Sequence, residues 1–361
     1  MHLCEIEILN LWGIDEITLS FPQQVTFLTG ANGCGKSTLL NVIYDTLKAA
    51  YDGDIQTTKN RFWSAKAITQ DKDKHQITLT LTCLLTAQSE AQKAAVKDIP
   101  IKHQLSALKQ YQTAILKQQP NVNTHIIRPQ NNGLNTTIKY EIKPTLKTNQ
   151  SCTAFLFQED RNNPHNMDKI NIDKQSLYWK KYNNSIDERL MYIRDEMQIY
   201  EAKLNQQIAN LYPLGANWQQ QTPSHQDKQL INKLQKQKQA VTKLTDTLNQ
   251  YFQLSGKSII RDEDNKFTLT HHNEQQPLHW SSLSRGEKNL IYLFLVVFLY
   301  QHEHDVFLLD EPEISMHVKW QEPLIRDLCA LAPHSQFIIA THSPSLIQNG
   351  WLGHCIELEA S

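Results

Sequence analysis

The chain lacks cysteine pairs, long apolar runs and an excess of charge of either sign. Its six cysteines, Cys4, Cys34, Cys83, Cys152, Cys329 and Cys355, are scattered with no Cys-x-x-Cys among them. That excludes a disulfide framework, a zinc ribbon and a zinc hook, and fits a reducing compartment. The longest apolar run, Leu290 to Tyr300, has 11 residues, where a bilayer span needs about 20. The first residues, MHLCEIEILN, show no charged segment followed by an apolar stretch. Neither export nor membrane insertion is expected, and the cytoplasm is the expected location. Lys+Arg 36 against Asp+Glu 37 leave a formal net charge of −1, which by itself neither demands nor excludes a polyanionic partner. What is present is a globular composition, 361 residues with 40% hydrophobic content, long enough for one large domain or two ordinary ones.

The chain opens on three short strand patterns, Leu3 to Leu9, Glu16 to Phe21 and Val25 to Thr29, broken at Trp12-Gly13 and Phe21-Pro22-Gln23. The third runs into Gly30-Ala31-Asn32-Gly33-Cys34-Gly35-Lys36-Ser37, followed from Thr38 to Leu47 by apolar residues at three and four spacing. That spacing predicts a helix buried on one face. The octet fits G-x-x-x-x-G-K-[ST] in the strand–loop–helix context the motif requires. The glycines let backbone N–H groups turn inward around a polyphosphate, and the helix N-terminus adds its positive dipole. Lys36 can reach the β and γ phosphates, and Ser37 can ligate Mg²⁺.

A second element pairs with the loop. Asp305-Val306-Phe307-Leu308-Leu309-Asp310-Glu311 reads as a buried parallel strand whose carboxylates stand at its C-terminal end, where open α/β sheets bind ligands. Asp310 would hold Mg²⁺ through water, and Glu311 would polarise an attacking water as general base. Leu283-Ser284-Arg285-Gly286-Glu287-Lys288 precedes an apolar helix pattern from Asn289 to Tyr300, so that Ser284 and the Gly286 backbone form an anion site at a helix N-terminus. Nearby His302-Glu303-His304-Asp305 has poor metal geometry.

Between these elements the composition shifts. Residues 85–150 are rich in Gln, Asn and Lys and interrupted by Pro100, Pro120, Pro129 and Pro144, which predicts short strands, turns and one helix in an insertion. Residues 90–147 carry nine Lys/Arg against three Asp/Glu, either a solvated basic face or a contact for phosphate backbones. Ile186, Leu190, Ile193, Met197, Tyr200, Leu204, Ile208 and Leu211 follow heptad spacing. So do Leu230, Leu234, Gln237, Val241, Leu244, Leu248 and Tyr251. Pro213, Gly215 and Pro223 lie between, so the two helices are expected to fold back as an antiparallel hairpin, or else to lie as ordinary amphipathic helices on the core.

With these motifs in this order the chain resembles the ABC-type ATPases, and Leu-Ser-x-Gly-Glu resembles the SMC, RecF and OLD branch of them more than transporters. The resemblance implies an α/β P-loop ATPase head with an inserted basic lobe and a short helical arm, using ATP and Mg²⁺. It implies nucleotide contacts from Gly30, Asn32, Gly33, Gly35, Lys36, Ser37 and Thr38, with Ser284 and Gly286 meeting the γ-phosphate held by another subunit. That division makes a head-to-head dimer the working form. His342, 31 residues after Glu311 at the end of the apolar run Phe337–Ala340, resembles the switch histidine. Gln158, in Phe155-Leu156-Phe157-Gln158-Glu159, is similar to the glutamine that ligates Mg²⁺, and Glu313 to His317 looks like the D-loop of OLD-like defence ATPases. Where many relatives have Asn-x-Arg after the first strand, this chain has Asn10-Leu11-Trp12. Trp12 is placed to pack or to stack on adenine, and Arg61 is read as a surface residue, with a charge clamp as the alternative.

The expected organisation is an N-terminal lobe over 1–84, a basic lobe with Gln158 over 85–184, a helical hairpin over 185–252 and a C-terminal lobe over 253–361. Only 16 residues follow Ser345, too few for the nuclease domain of full-length OLD proteins. The resemblance therefore implies an ATPase akin to those of anti-phage systems such as Septu, acting with a separate nuclease and possible DNA. A RecF-like repair ATPase is the alternative, and a transporter subunit a more distant one.

Overall fold

Alternating and continuous apolar patterns sort the strands of this chain into two different kinds of sheet. The computed structural model describes residues 1–11, 14–48, 63–73, 76–86, 123–127, 135–142, 152–158, 186–211, 225–272, 274, 276–348 and 350–358. The expectations for Trp12, Arg61, the helix within 85–150 and the turn containing Pro213, Gly215 and Pro223 lie outside these residues. Two compact units emerge, the first from 1–158, 302–311 and 334–361, the second from 159–301 and 312–333.

In the first unit β1 (His2–Leu11), β2 (Ile14–Ser20), β3 (Val25–Gly30), β4 (Trp63–Gln70) and β5 (Gln76–Thr86) are joined by β6 (Asn123–Ile127) and β7 (Asn135–Ile142). All but β3 form an antiparallel sheet in the order β2-β1-β4-β5-β7-β6. Leu3, Ile6 and Ile8 of β1 are all fully buried although the first two stand three positions apart. A bulge between Leu3 and Glu5 absorbs the extra residue and restores the two-residue period. The other sheet is parallel throughout. Strand β3 lies between β12 (Gln336–Ala340) and β13 (Cys355–Leu358), and β11 (Val306–Asp310) lies between β12 and β8 (Ala154–Gln158). Its central strands read as unbroken apolar runs because both faces are covered. Val306, Phe307, Leu308 and Leu309 are all fully buried.

Helix α1 (Lys36–Lys48) corrects one expectation. Ten of its 13 residues are buried, where the apolar spacing predicts one covered face. Strands of both sheets pack on it, so even the Lys48 stem is enclosed, its ammonium lying 5.8 Å over the Tyr44 ring. His304 is buried as well. It packs against the Phe155 and Phe307 rings, and loss of solvent lowers its pKa to about 4. Among the described residues no group of three or more His, Cys, Asp or Glu could hold a metal.

In the second unit α2 (Ile186–Leu211) and α3 (His225–Phe252) precede a two-stranded ribbon of β9 (Lys257–Arg261) and β10 (Phe267–His271). Helices α4 (Arg285–Tyr300) and α5 (Val318–Leu331) follow. Helix α4 is apolar almost all round, as a central helix must be. Leu290, Ile291, Leu293, Phe294, Leu295, Val296 and Val297 are buried. The heptad stripes of α2 and α3 therefore serve two partners. Tyr200 of α2 meets Phe298 edge-on and Tyr251 of α3 meets Phe294, so these positions cover α4. Farther along, the Tyr200 hydroxyl hydrogen-bonds the Gln237 side chain, and Leu204 and Leu234 are buried. Among the described residues no helix is long and apolar enough to cross a membrane, and the cysteines described are free thiols.

Candidate nucleotide-binding site

Strand register builds the site of the first unit. Gln158, Asp310 and Ala340 stand opposite one another at the carboxyl ends of β8, β11 and β12, and β3 ends beside them at Gly30. The residues that leave these ends face the crevice where parallel sheets take ligands. Gly30 and Gly33 hold φ of 136° and 81°, and Gly35 holds 94°, which turns the loop as the spacing predicts. A Cβ on Gly30 would sit 2.4 Å from the Leu358 carbonyl oxygen, so β13 supplies a second reason for that glycine.

Lys36 is 5% exposed and folds back over its own loop. Its ammonium donates to the carbonyls of Gly30 at 3.0 Å and Ala31 at 3.1 Å, and lies 3.6 Å from Cys34 Sγ. A cation held across a ring of loop backbone is positioned for an anion entering that loop. The Ser37 hydroxyl donates to Asp310 Oδ1 at 2.9 Å. Gln158 donates to Asn41 Oδ1 at 3.2 Å, and Asn41 Nδ2 donates to the Ser37 carbonyl at 2.9 Å. Asn41 belongs to none of the motifs above. Its signal was the spacing of four from Ser37 on the predicted helix, which places both on one face.

A hydroxyl, a carboxylate and an amide thus converge as hard oxygen donors, the set that suits Mg²⁺. The Ser37–Asp310 bond shows that two of them already meet. Glu311 follows Asp310 with a positive φ of 47°, its N–H held by the Ala340 carbonyl at 2.8 Å. His342 Nε2 lies 3.8 Å from Glu311 Oε1. Thr341, which precedes His342, is buried, and its hydroxyl accepts from the Ser343 N–H at 2.9 Å, fixing the turn that presents the histidine.

The second unit holds the serine–glycine turn. Ser284 caps α4, its hydroxyl accepting from the Glu287 N–H at 3.3 Å while Glu287 Oε2 accepts from the Ser284 N–H at 2.8 Å. Ser-x-x-Glu is the sequence signature of this reciprocal box. A Cβ on Gly286 would come within 2.2 Å of the Ser315 carbonyl oxygen, and Asn289 donates to the Ile314 carbonyl at 3.4 Å. The segment from Glu313 to His317 is therefore packed on the turn. Ser315 itself has φ of 63°. Ser284 and Arg285 are exposed.

A family model described as an AAA ATPase domain matches residues 1–347. The chain belongs to this family of AAA ATPase domains. A curated protein from Vibrio cholerae serotype O1 biovar El Tor, the Retron Vc95 probable ATPase, is 35% identical over 77 residues. That stretch covers 18% of this AAA ATPase chain and only 15% of the relative. Two solved structures are similar at 13% identity, each covering 97% of this chain and 92% of theirs. One is the SmcHead bound to the C-winged helix domain of ScpA, with a TM-score of 0.44, and the other the SMC head domain from Thermotoga maritima, with 0.39.

Proposed function

We propose that this AAA ATPase chain hydrolyses ATP with Mg²⁺, works as an ATP-gated dimer, and regulates a separate nuclease in a cytoplasmic anti-phage complex. The observation that carries the ATPase reading is the convergence of the Lys36 loop, Ser37, Asp310, Gln158, Glu311 and His342 at the ends of adjacent parallel strands. Lys36 and the loop N–H groups bind the phosphates. Ser37, Asp310 and Gln158 would hold Mg²⁺, which when bound neutralises phosphate charge. Glu311 takes the proton of the attacking water, and His342 beside it steadies the γ-phosphate end.

The gating reading is supported by the exposed, rigidly capped Ser284 turn, a helix N-terminus available to the phosphate bound by a second copy. The defence reading is supported by the resemblance of Glu313 to His317 to OLD-like proteins and by the short likeness to a retron ATPase. DNA contact is supported by the charge excess over 90–147 and by the five lysines of α3, Lys228, Lys233, Lys236, Lys238 and Lys243. All five are exposed. Neutralised phosphates would release counterions and make binding fall steeply with salt.

The test is phosphate release by the purified chain with Mg²⁺ and with EDTA. Turnover should disappear when the metal is removed and return on adding Mg²⁺. Equal rates in both would contradict the assignment of Ser37, Asp310 and Gln158.

A further inference from the structure

Two consecutive residues of α4 are tied to the roots of the two long helices by ion pairs of opposite polarity. Glu287, with a side chain 4% exposed, accepts from the Lys257 ammonium at 2.7 Å. Lys257 opens β9, just after Gly256 (φ 64°) has closed the turn that ends α3. The same stretch is fastened to α3 by the Ile259 N–H, which donates to Asn249 Oδ1 at 2.7 Å. Lys288 pairs with Asp187, in the first turn of α2, at 2.6 Å. Its ammonium also donates to the Ser281 carbonyl at 3.3 Å, on the approach to Ser284.

Glu287 therefore has both oxygens committed, Oε1 to Lys257 and Oε2 to the Ser284 N–H. A buried carboxylate without Lys257 would carry an uncompensated charge and would favour leaving the cap. We infer that Lys257 and Asp187 are positioning residues for Ser284. Through Glu287 and Lys288 they fix the serine turn to the ends of α3 and α2, so that movement of either helix root reaches Ser284. The role assigned to Glu287 is that of a charged strut, with no contact to nucleotide. The functional half of the inference rests on the ATPase reading above; the structural half does not.

Lys257→Met keeps the length and removes the charge, and is the test, with hydrogen exchange and turnover measured on the full chain. Exchange in a peptide covering residues 281–290 should speed up by about tenfold, because an N-cap that opens releases the amides it protected. Exchange in a peptide covering the Gly30–Ser37 loop should not change. The kcat for ATP should fall by roughly tenfold to a hundredfold with ATP affinity unaltered. Lys257→Arg should restore both. Lys257→Met with Glu287→Gln should recover most of the protection and turnover, because Gln also completes the box without a buried charge. Asp187→Asn should reproduce the single-variant pattern more weakly, since Asp187 is 43% exposed.

Unchanged exchange over 281–290 in Lys257→Met would overturn the inference. Faster exchange with wild-type kcat would also overturn it, because the pair would then matter only to folding. Wild-type protein without turnover would overturn the ATPase reading instead, and the exchange comparison would still decide the structural half.

Discussion

Glu311→Gln is expected to lower phosphate release by about 1000-fold while Mg²⁺-ATP continues to bind. The amide matches the carboxylate in size and cannot take a proton. Glu311 is placed for that task by its backbone. The positive φ turns the chain sharply after Asp310, the Ala340 carbonyl holds the amide N–H, and the carboxylate stands 3.8 Å from His342. Lys36, Ser37 and Asp310 are untouched by the change, so nucleotide titration should give wild-type affinity. A variant that releases phosphate at the wild-type rate would move the base to another residue.

Gly286→Ala should cost about 100-fold in turnover and about 1–3 kcal/mol in stability. The added Cβ would lie 2.2 Å from the Ser315 carbonyl oxygen and 3.1 Å from its carbon. Both obstacles are backbone, in a residue already held at φ 63°, so relief requires shifting the turn that Asn289 fastens. Nucleotide affinity should survive, because the phosphate loop belongs to the first unit. Gly353→Ala is the control, with nothing within 4 Å of its added Cβ, and should behave as wild type. Denaturant unfolding reads the stability cost, and phosphate release reads the turnover.

Most of the candidate site was legible because its residues stand at local spacings. The glycine loop is a contiguous octet, and Asp310, Glu311 and His342 follow apolar runs that only a buried parallel strand explains. Three strands, α1 and α4 appear within a few residues of where the patterns put them, the usual slack of element ends. What was not legible depends on which surface covers a given face. The spacing in α1 shows one apolar stripe, yet two sheets enclose it. The stripe on α2 has the form of a helix–helix seam, and its Tyr200 turns out to meet α4 as well as Gln237. Asn41 and Lys257 look like ordinary polar helix and strand residues, and only tertiary contact joins them to Gln158 and Glu287. The close approach of Gly286 to Ser315 joins two motifs 29 residues apart, a distance no periodicity spans.

We propose that the nucleotide site of one copy is completed by the Ser284 turn of another. Light scattering on Glu311→Gln, with bound nucleotide measured on the same sample, tests it most directly, because that variant retains ATP and removes the step that would release the partner. The mass should rise from 41.8 kDa to twice that value on adding Mg²⁺-ATP, and fall back when the nucleotide is removed. A mass that stays the same while ATP saturates the protein would contradict it.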